Sequence, residues 1–221
     1  MIFPRTRALI ALTGLLALLP ASVAHARPAA VSISGGDVIW GSGTGCTVGF
    51  NVHDRRGQPA LLIAGRCGAW VTDWYADRAL TQHIATTAPV EFPGNEAVLA
   101  VYDPGVAAPS TVNLHDGTFQ TITGAGDRTV GDRITTAGSR SGVRTGTIIA
   151  VGLAVNTPEG TLTGLSQTDI CREPRDDGDS LFDGTTALGL AIGLTGDCGT
   201  GGGFLFRPVT AVLAAAGARL P

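Results

Sequence analysis

A serine-type hydrolase needs three side chains within reach of one another: a nucleophilic hydroxyl, an imidazole to take its proton, and a carboxylate to orient the imidazole. The chain has four histidines with which to build such a site. His25 sits in an N-terminal leader, and His53 adjoins the turn Asp54-Arg55-Arg56-Gly57. His83 and His115 fall in predicted loops, and all of these read as surface histidines. Carboxylates crowd around one serine, Ser180, in Cys171-Arg172-Glu173-Pro174-Arg175-Asp176-Asp177-Gly178-Asp179-Ser180-Leu181. Four cysteines, Cys46, Cys67, Cys171 and Cys198, could ligate a metal, but no C-x-x-C or C-x-H pair occurs. Neither a metal nor a cofactor is expected.

The elements that must position these groups belong to an exported chain. Arg5 and Arg7 give a positive start, Ala8 to Leu19 form an apolar run, and Pro20 breaks it. Ala24-His25-Ala26 then offers the small-x-small pattern of a signal peptidase site. The run is short of the ~20 residues a membrane span requires. Residues 1–26 are therefore expected to be a cleaved signal peptide and 27–221 the mature domain. In that compartment the cysteines read as two disulfides with three possible pairings. Spacing favours Cys46–Cys67 and Cys171–Cys198, each worth roughly 3 kcal/mol on the chain-entropy view.

The whole chain carries 15 basic and 18 acidic residues, for a net charge of −3, and every basic residue is arginine. Removing Arg5 and Arg7 takes the balance to about −5, a surface poorly suited to nucleic acid or anionic membranes. Thirty-two glycines punctuate short apolar segments. Residues 48–52, 60–64, 97–101, 147–151 and 188–192 read as strands. Asp54 to Gly57, Asp103-Pro104-Gly105 and Pro158-Glu159-Gly160 supply turn chemistry between them. Many short strands without helical periodicity indicate an all-β barrel or sandwich. One helix is expected, after Pro208, with apolar residues at Val209, Val212, Leu213 and Ala216 and a stop at Gly217. Tyr102 to Thr111 is the expected linker between two halves, about 31–105 and about 110–221.

Particular segments narrow this further. Ile33-Ser34-Gly35-Gly36-Asp37 with Cys46-Thr47-Val48-Gly49-Phe50-Asn51-Val52 resembles the mature start of the streptogrisin and α-lytic protease group of chymotrypsin-like serine proteases. Ile63-Ala64-Gly65-Arg66-Cys67 resembles that family's T-A-G-H-C segment, and Asp73-Trp74-Tyr75-Ala76 its aromatic turn. Pro93-Gly94-Asn95-Glu96-Ala97, Val130-Gly131-Asp132, Gly142 to Thr147, Cys171 to Pro174 and Phe204 to Val209 are similar to further family segments. The resemblance runs from about residue 31 to 218. It implies two six-stranded antiparallel β-barrels with a cleft between them, a short C-terminal helix, and the same two disulfides. The Ile33 segment begins about seven residues beyond the expected cleavage site. No long pro-region like that of active members is therefore expected, and the domain should fold without one.

The resemblance also assigns positions. Arg66 stands where the family has its catalytic histidine, and a guanidinium is always protonated, so it cannot accept a proton from serine. Glu96 stands at the aspartate position. With Cys171 to Pro174 fixing the register against C-x-E-P-G-D-S-G-G-P-L, Asp177 falls on the serine and Arg175 on the oxyanion glycine. Ile192-Gly193-Leu194 replaces the S-G-G edge of the substrate pocket. Gly178-Asp179-Ser180 spells part of the active motif, yet using Ser180 as nucleophile demands a three-residue shift and still lacks a histidine.

The expectation is a secreted, proteolytically inactive protease homologue acting as a binding or structural domain. It would be a monomer with a protein or cell-surface ligand. Arg66, Glu96 and Asp177 are expected to form a buried or half-buried ion cluster. One alternative is an active serine endopeptidase with a rearranged site. The other is a hydrolase using Glu96 and Asp177 as an acid/base pair, although an adjacent arginine would hold both carboxylates ionised when a general acid needs a raised pKa.

Overall fold

A computed structural model describes residues 30–88, 94–139, 141–158, 160–171, 179–196, 199 and 201–221. The expected signal peptide, Arg175, Asp177 and Cys198 lie outside them.

The first half closes on itself. Strands β1 (Val38–Gly41), β2 (Thr44–His53), β3 (Pro59–Ala64), β4 (Asp73–Tyr75), β5 (His83–Thr87) and β6 (Ala97–Tyr102) form a closed barrel in the order β1-β2-β3-β6-β5-β4. Strand β3 reads as a continuous apolar run because both its faces are covered. Leu61 and Ile63 point into the barrel with Ile39, Val48, Trp74 and Ile84. Ala60 and Leu62 point outward into a second cluster with Phe50 and Leu99, which the other half completes with Phe182, Leu190, Val209 and Val212.

Three local expectations change. Asp73 to Tyr75 is a strand rather than a turn, with Trp74 fully buried and its Nε1 donating to Thr87 Oγ1 at 2.9 Å. His83 opens strand β5 rather than lying in a loop. A one-turn helix, α1 (Gly65–Gly68), follows β3 directly, where no helical period is visible in the sequence. Strands of three to five mixed residues and a four-residue helix are too short to display a period.

The segment expected as a linker, 102–111, is tied to both halves, Ser110 O accepting from Ile122 N–H at 2.8 Å on the far side. Ile33 N–H donates to Ala107 O at 2.9 Å and Ala107 N–H to Val31 O at 2.8 Å. Buried Asn51 ties three segments together. Its Nδ2 donates to Ile33 O at 2.6 Å and Pro109 O at 2.9 Å, while its Oδ1 accepts from the Tyr102 hydroxyl at 2.7 Å.

Beyond the linker come β7 (Thr111–Asn113), β8 (Phe119–Thr121), β9 (Gly124–Ala125), β10 (Arg133–Gly138), β11 (Gly142–Thr157), β12 (Gly160–Thr168), β13 (Ser180–Asp183), β14 (Thr186–Thr195) and β15 (Gly203–Pro208). Strands β7 and β8 form a small separate ribbon. Because β13 pairs with both β10 and β14, the strands β10-β11-β12-β15-β14-β13 close into a second ring of six, and β9 adds in parallel to β14. Ile134, Ile148, Leu181, Leu188, Phe204 and Phe206 fill its interior.

Helix α2 (Val209–Ala216) begins after Pro208 and ends at Gly217, whose φ of 61° is the left-handed stop expected there. A side chain at 217 would also collide with Arg55. That arginine donates from Nε to Ala216 O and from its terminal nitrogen to Ala215 O, both at 3.2 Å, satisfying carbonyls the helix leaves open. The chain end then pairs with the first barrel, His53 and Arg219 exchanging backbone hydrogen bonds of 2.7 and 3.0 Å.

Candidate functional site

The register of β3 with β6 pairs Ala64 with Ala97. Arg66 lies two residues beyond the first and Glu96 one residue before the second, so the barrel brings both to the same end of this strand pair. The Gly65 N–H donates to Glu96 O at 2.9 Å, fastening the start of α1 to the start of β6. The Cys46–Cys67 disulfide, with Cα atoms 5.8 Å apart, fixes α1 to β2. Cys171 is also disulfide-bonded, and its expected partner Cys198 is outside the described residues.

Glu96 is 2% exposed and adopts φ 54°, a left-handed backbone that non-glycine residues seldom take. Such conformations cluster at functional sites. Arg66 is exposed, which corrects the expectation of burial, while the expected cluster with Glu96 and Asp177 turns on Asp177, outside the described residues. The reason is local: α1 makes a single turn at the barrel rim, and its buried positions are Gly65 and Gly68 rather than Arg66.

Ser180 is fully buried at the start of β13, between Ala137 of β10 and Leu190 of β14. Its hydroxyl donates to Gly49 O of β2, across the seam between the two barrels. Gly35 lies in the same seam, where a Cβ would stand 2.5 Å from Gly49 O. A serine packed in this way cannot approach a substrate. Asp179 is buried beside it, its carbonyl accepting from Ala191 N–H at 3.2 Å. At the pocket edge Ile192 is buried, while Leu194 stands 40% exposed opposite Phe204.

The described histidines lie elsewhere. His53 ends β2, and His115 sits in the turn between β7 and β8 with φ 61°. His83 is the one the sequence undervalued. Its Nδ1 is 2.7 Å from Asp103 Oδ2, its Nε2 is 3.4 Å from Asp73 Oδ1, and the Tyr75 ring meets it edge-on at 5.2 Å. The hydrogen bond to Asp103 holds its pKa above the ordinary histidine value, with Asp73 adding to the effect. This is the imidazole–carboxylate half of a triad, but the second nitrogen faces another carboxylate rather than a hydroxyl.

Two closed antiparallel barrels with a capping helix and an inter-barrel seam define a chymotrypsin-like architecture. Comparisons with known proteins agree with it. The chain is 46% identical over 189 residues to Streptogrisin-D of Streptomyces griseus, covering 85% of this chain and 48% of that protein. It is 40% identical over 172 residues to Serine protease 2 of Streptomyces fradiae, covering 77% of this chain and 99% of that protein. Among solved structures, Alpha-lytic protease homolog N4 superposes with a TM-score of 0.80 at 37% identity, over 86% of this chain and all of that one. A glutamic acid specific serine protease gives 0.79 at 32% identity, again over 86% and 100%. No family model matches. The chain belongs to the streptogrisin and α-lytic protease group of chymotrypsin-like serine proteases.

Proposed function

We propose that this family member is a secreted binding domain that no longer cleaves peptides. The observation that carries the reading is Arg66. At the position of the general base, a guanidinium that never deprotonates cannot activate a nucleophile at any working pH. By the resemblance at Cys171 to Pro174, Asp177 stands for the nucleophile and Arg175 for the oxyanion glycine. The loss thus extends to all the groups a peptidase needs. The burial of Ser180 supports the same reading, since it removes the nearest serine from contact with solvent. Both barrels, the disulfide of the first and the seam persist, which supports a scaffold kept to bind a protein or cell-surface ligand.

The test is labelling of the mature chain with a fluorophosphonate serine-hydrolase probe alongside casein hydrolysis. No labelling and a blank casein rate are expected. Arg66→His alone should leave both unchanged, because Asp177 still occupies the nucleophile position. Labelling of any serine would return the chain to the active endopeptidases. Hydrolysis of a glycoside abolished by Glu96→Gln would instead establish the paired-carboxylate alternative.

A further inference from the structure

A hollow of about 630 Å³ opens between the outer face of the first barrel and helix α2, within the size range of small-ligand sites. Leu62, Leu99, Val101 and Val212 give it an apolar wall. Its room comes from four short side chains, Ala88 and Ala97 on the barrel side and Ala215 and Ala216 on the helix. At its mouth lie three charged groups, Asp54, Arg55 and Arg56, and two of them are committed to holding the fold. Asp54 Oδ1 accepts the backbone N–H groups of Arg56 and Gln58 at 2.8 Å each, and Arg55 caps the end of α2. The Arg56 side chain is exposed and has no hydrogen bond or ion pair to any described residue. Among the described residues the rim therefore carries one uncommitted positive charge above an apolar slot.

We propose that this hollow binds a small amphipathic carboxylate, its aliphatic tail along the Leu62–Leu99–Val212 wall and its head on Arg56. The site would be separate from the cleft at Arg66 and would add a small-molecule ligand to whatever the cleft engages. Tail burial supplies affinity in proportion to apolar area, and the guanidinium fork reads the carboxylate.

The test is titration calorimetry of the mature protein with decanoate below its micellar range, with decan-1-ol as the uncharged control. Saturable decanoate binding is expected, weakened about tenfold in Arg56→Gln, which corresponds to roughly 1.4 kcal/mol. Ala216→Leu, which fills the slot, should raise the melting temperature of the free protein and abolish decanoate binding. Arg56→Gln lies on the surface and reports even if Ala216→Leu proves insoluble. No saturable heat, equal affinity for the acid and the alcohol, or an affinity unmoved by Arg56→Gln would overturn the proposal. The fluorophosphonate result is independent of all three.

Discussion

Strand β6 has a carboxylate at each end, and the two ends have had different fates. Glu96 precedes the strand and lies beside the start of α1, which carries Arg66. Asp103 follows it and holds His83 at 2.7 Å. The resemblance puts the family's general base at the first end, and the residue standing there is an arginine, which stays protonated. At the second end the imidazole–carboxylate pair is intact, yet Asp73 takes the place a hydroxyl would need. Catalysis requires a titratable base in the right place and a nucleophile beside it. The two carboxylates lie one strand apart, about 20 Å at ~3.3 Å per residue.

The comparison can be broken most forcefully at the disulfide that pins the first end. Replacing Cys46 and Cys67 together by alanine should cost roughly 3 kcal/mol, read from denaturant unfolding. A loss well under 1 kcal/mol would mean that the backbone bond to Glu96 suffices to hold α1. Ser180→Ala comes next. Removing the hydroxyl that bridges to Gly49 O leaves a buried carbonyl short of a donor and should cost about 1–3 kcal/mol. The probe-labelling result should stay the same.

Arg66→Ala sharpens the contrast. As the arginine is exposed, about 1 kcal/mol or less is expected, in the range of surface ion pairs. A loss of several kcal/mol would show that it is bound into a desolvated cluster after all.

The smallest effect belongs to the second end. The folded-state pKa of His83 is raised, so its stabilising contribution is full below the unfolded value of about 6.5. That contribution is lost as pH rises through the folded pKa. Melting temperature should therefore decline across that window, and His83→Gln should flatten the decline. A resonance of His83 titrating at or below 6.5 in NMR would contradict the pairing with Asp103.

What could be read in advance follows from how each feature is encoded. Strands β3 and β6 are buried on both faces, and their unbroken apolar runs announce them. Helix α2 carries its own stop in Gly217. The family segments set the register that assigns Arg66 and Glu96. The exposure of Arg66 was illegible, because it depends on which residues of a single turn face inward. The His83–Asp103 pair was equally hidden. The two residues are 20 apart in the chain and meet only because β5 pairs with β6, Ala85 opposite Tyr102. The hollow beside α2 is made of absent volume at two pairs of alanines more than 100 residues apart, Ala88 and Ala97 against Ala215 and Ala216, and no motif records an absence.

The bridge between His53 and Arg219 closes a circuit of 166 residues, and Arg55 reaches equally far to grip the end of α2. Contacts of such sequence separation carry a loop-closure cost before they return any stabilisation. During synthesis the first barrel can pair its six strands early, but its outer edge at the Asp54 turn must wait for residues 209–221 to arrive. Residues 209–221 thus fasten the first barrel's outer edge, and without them that edge at the Asp54 turn would stand open.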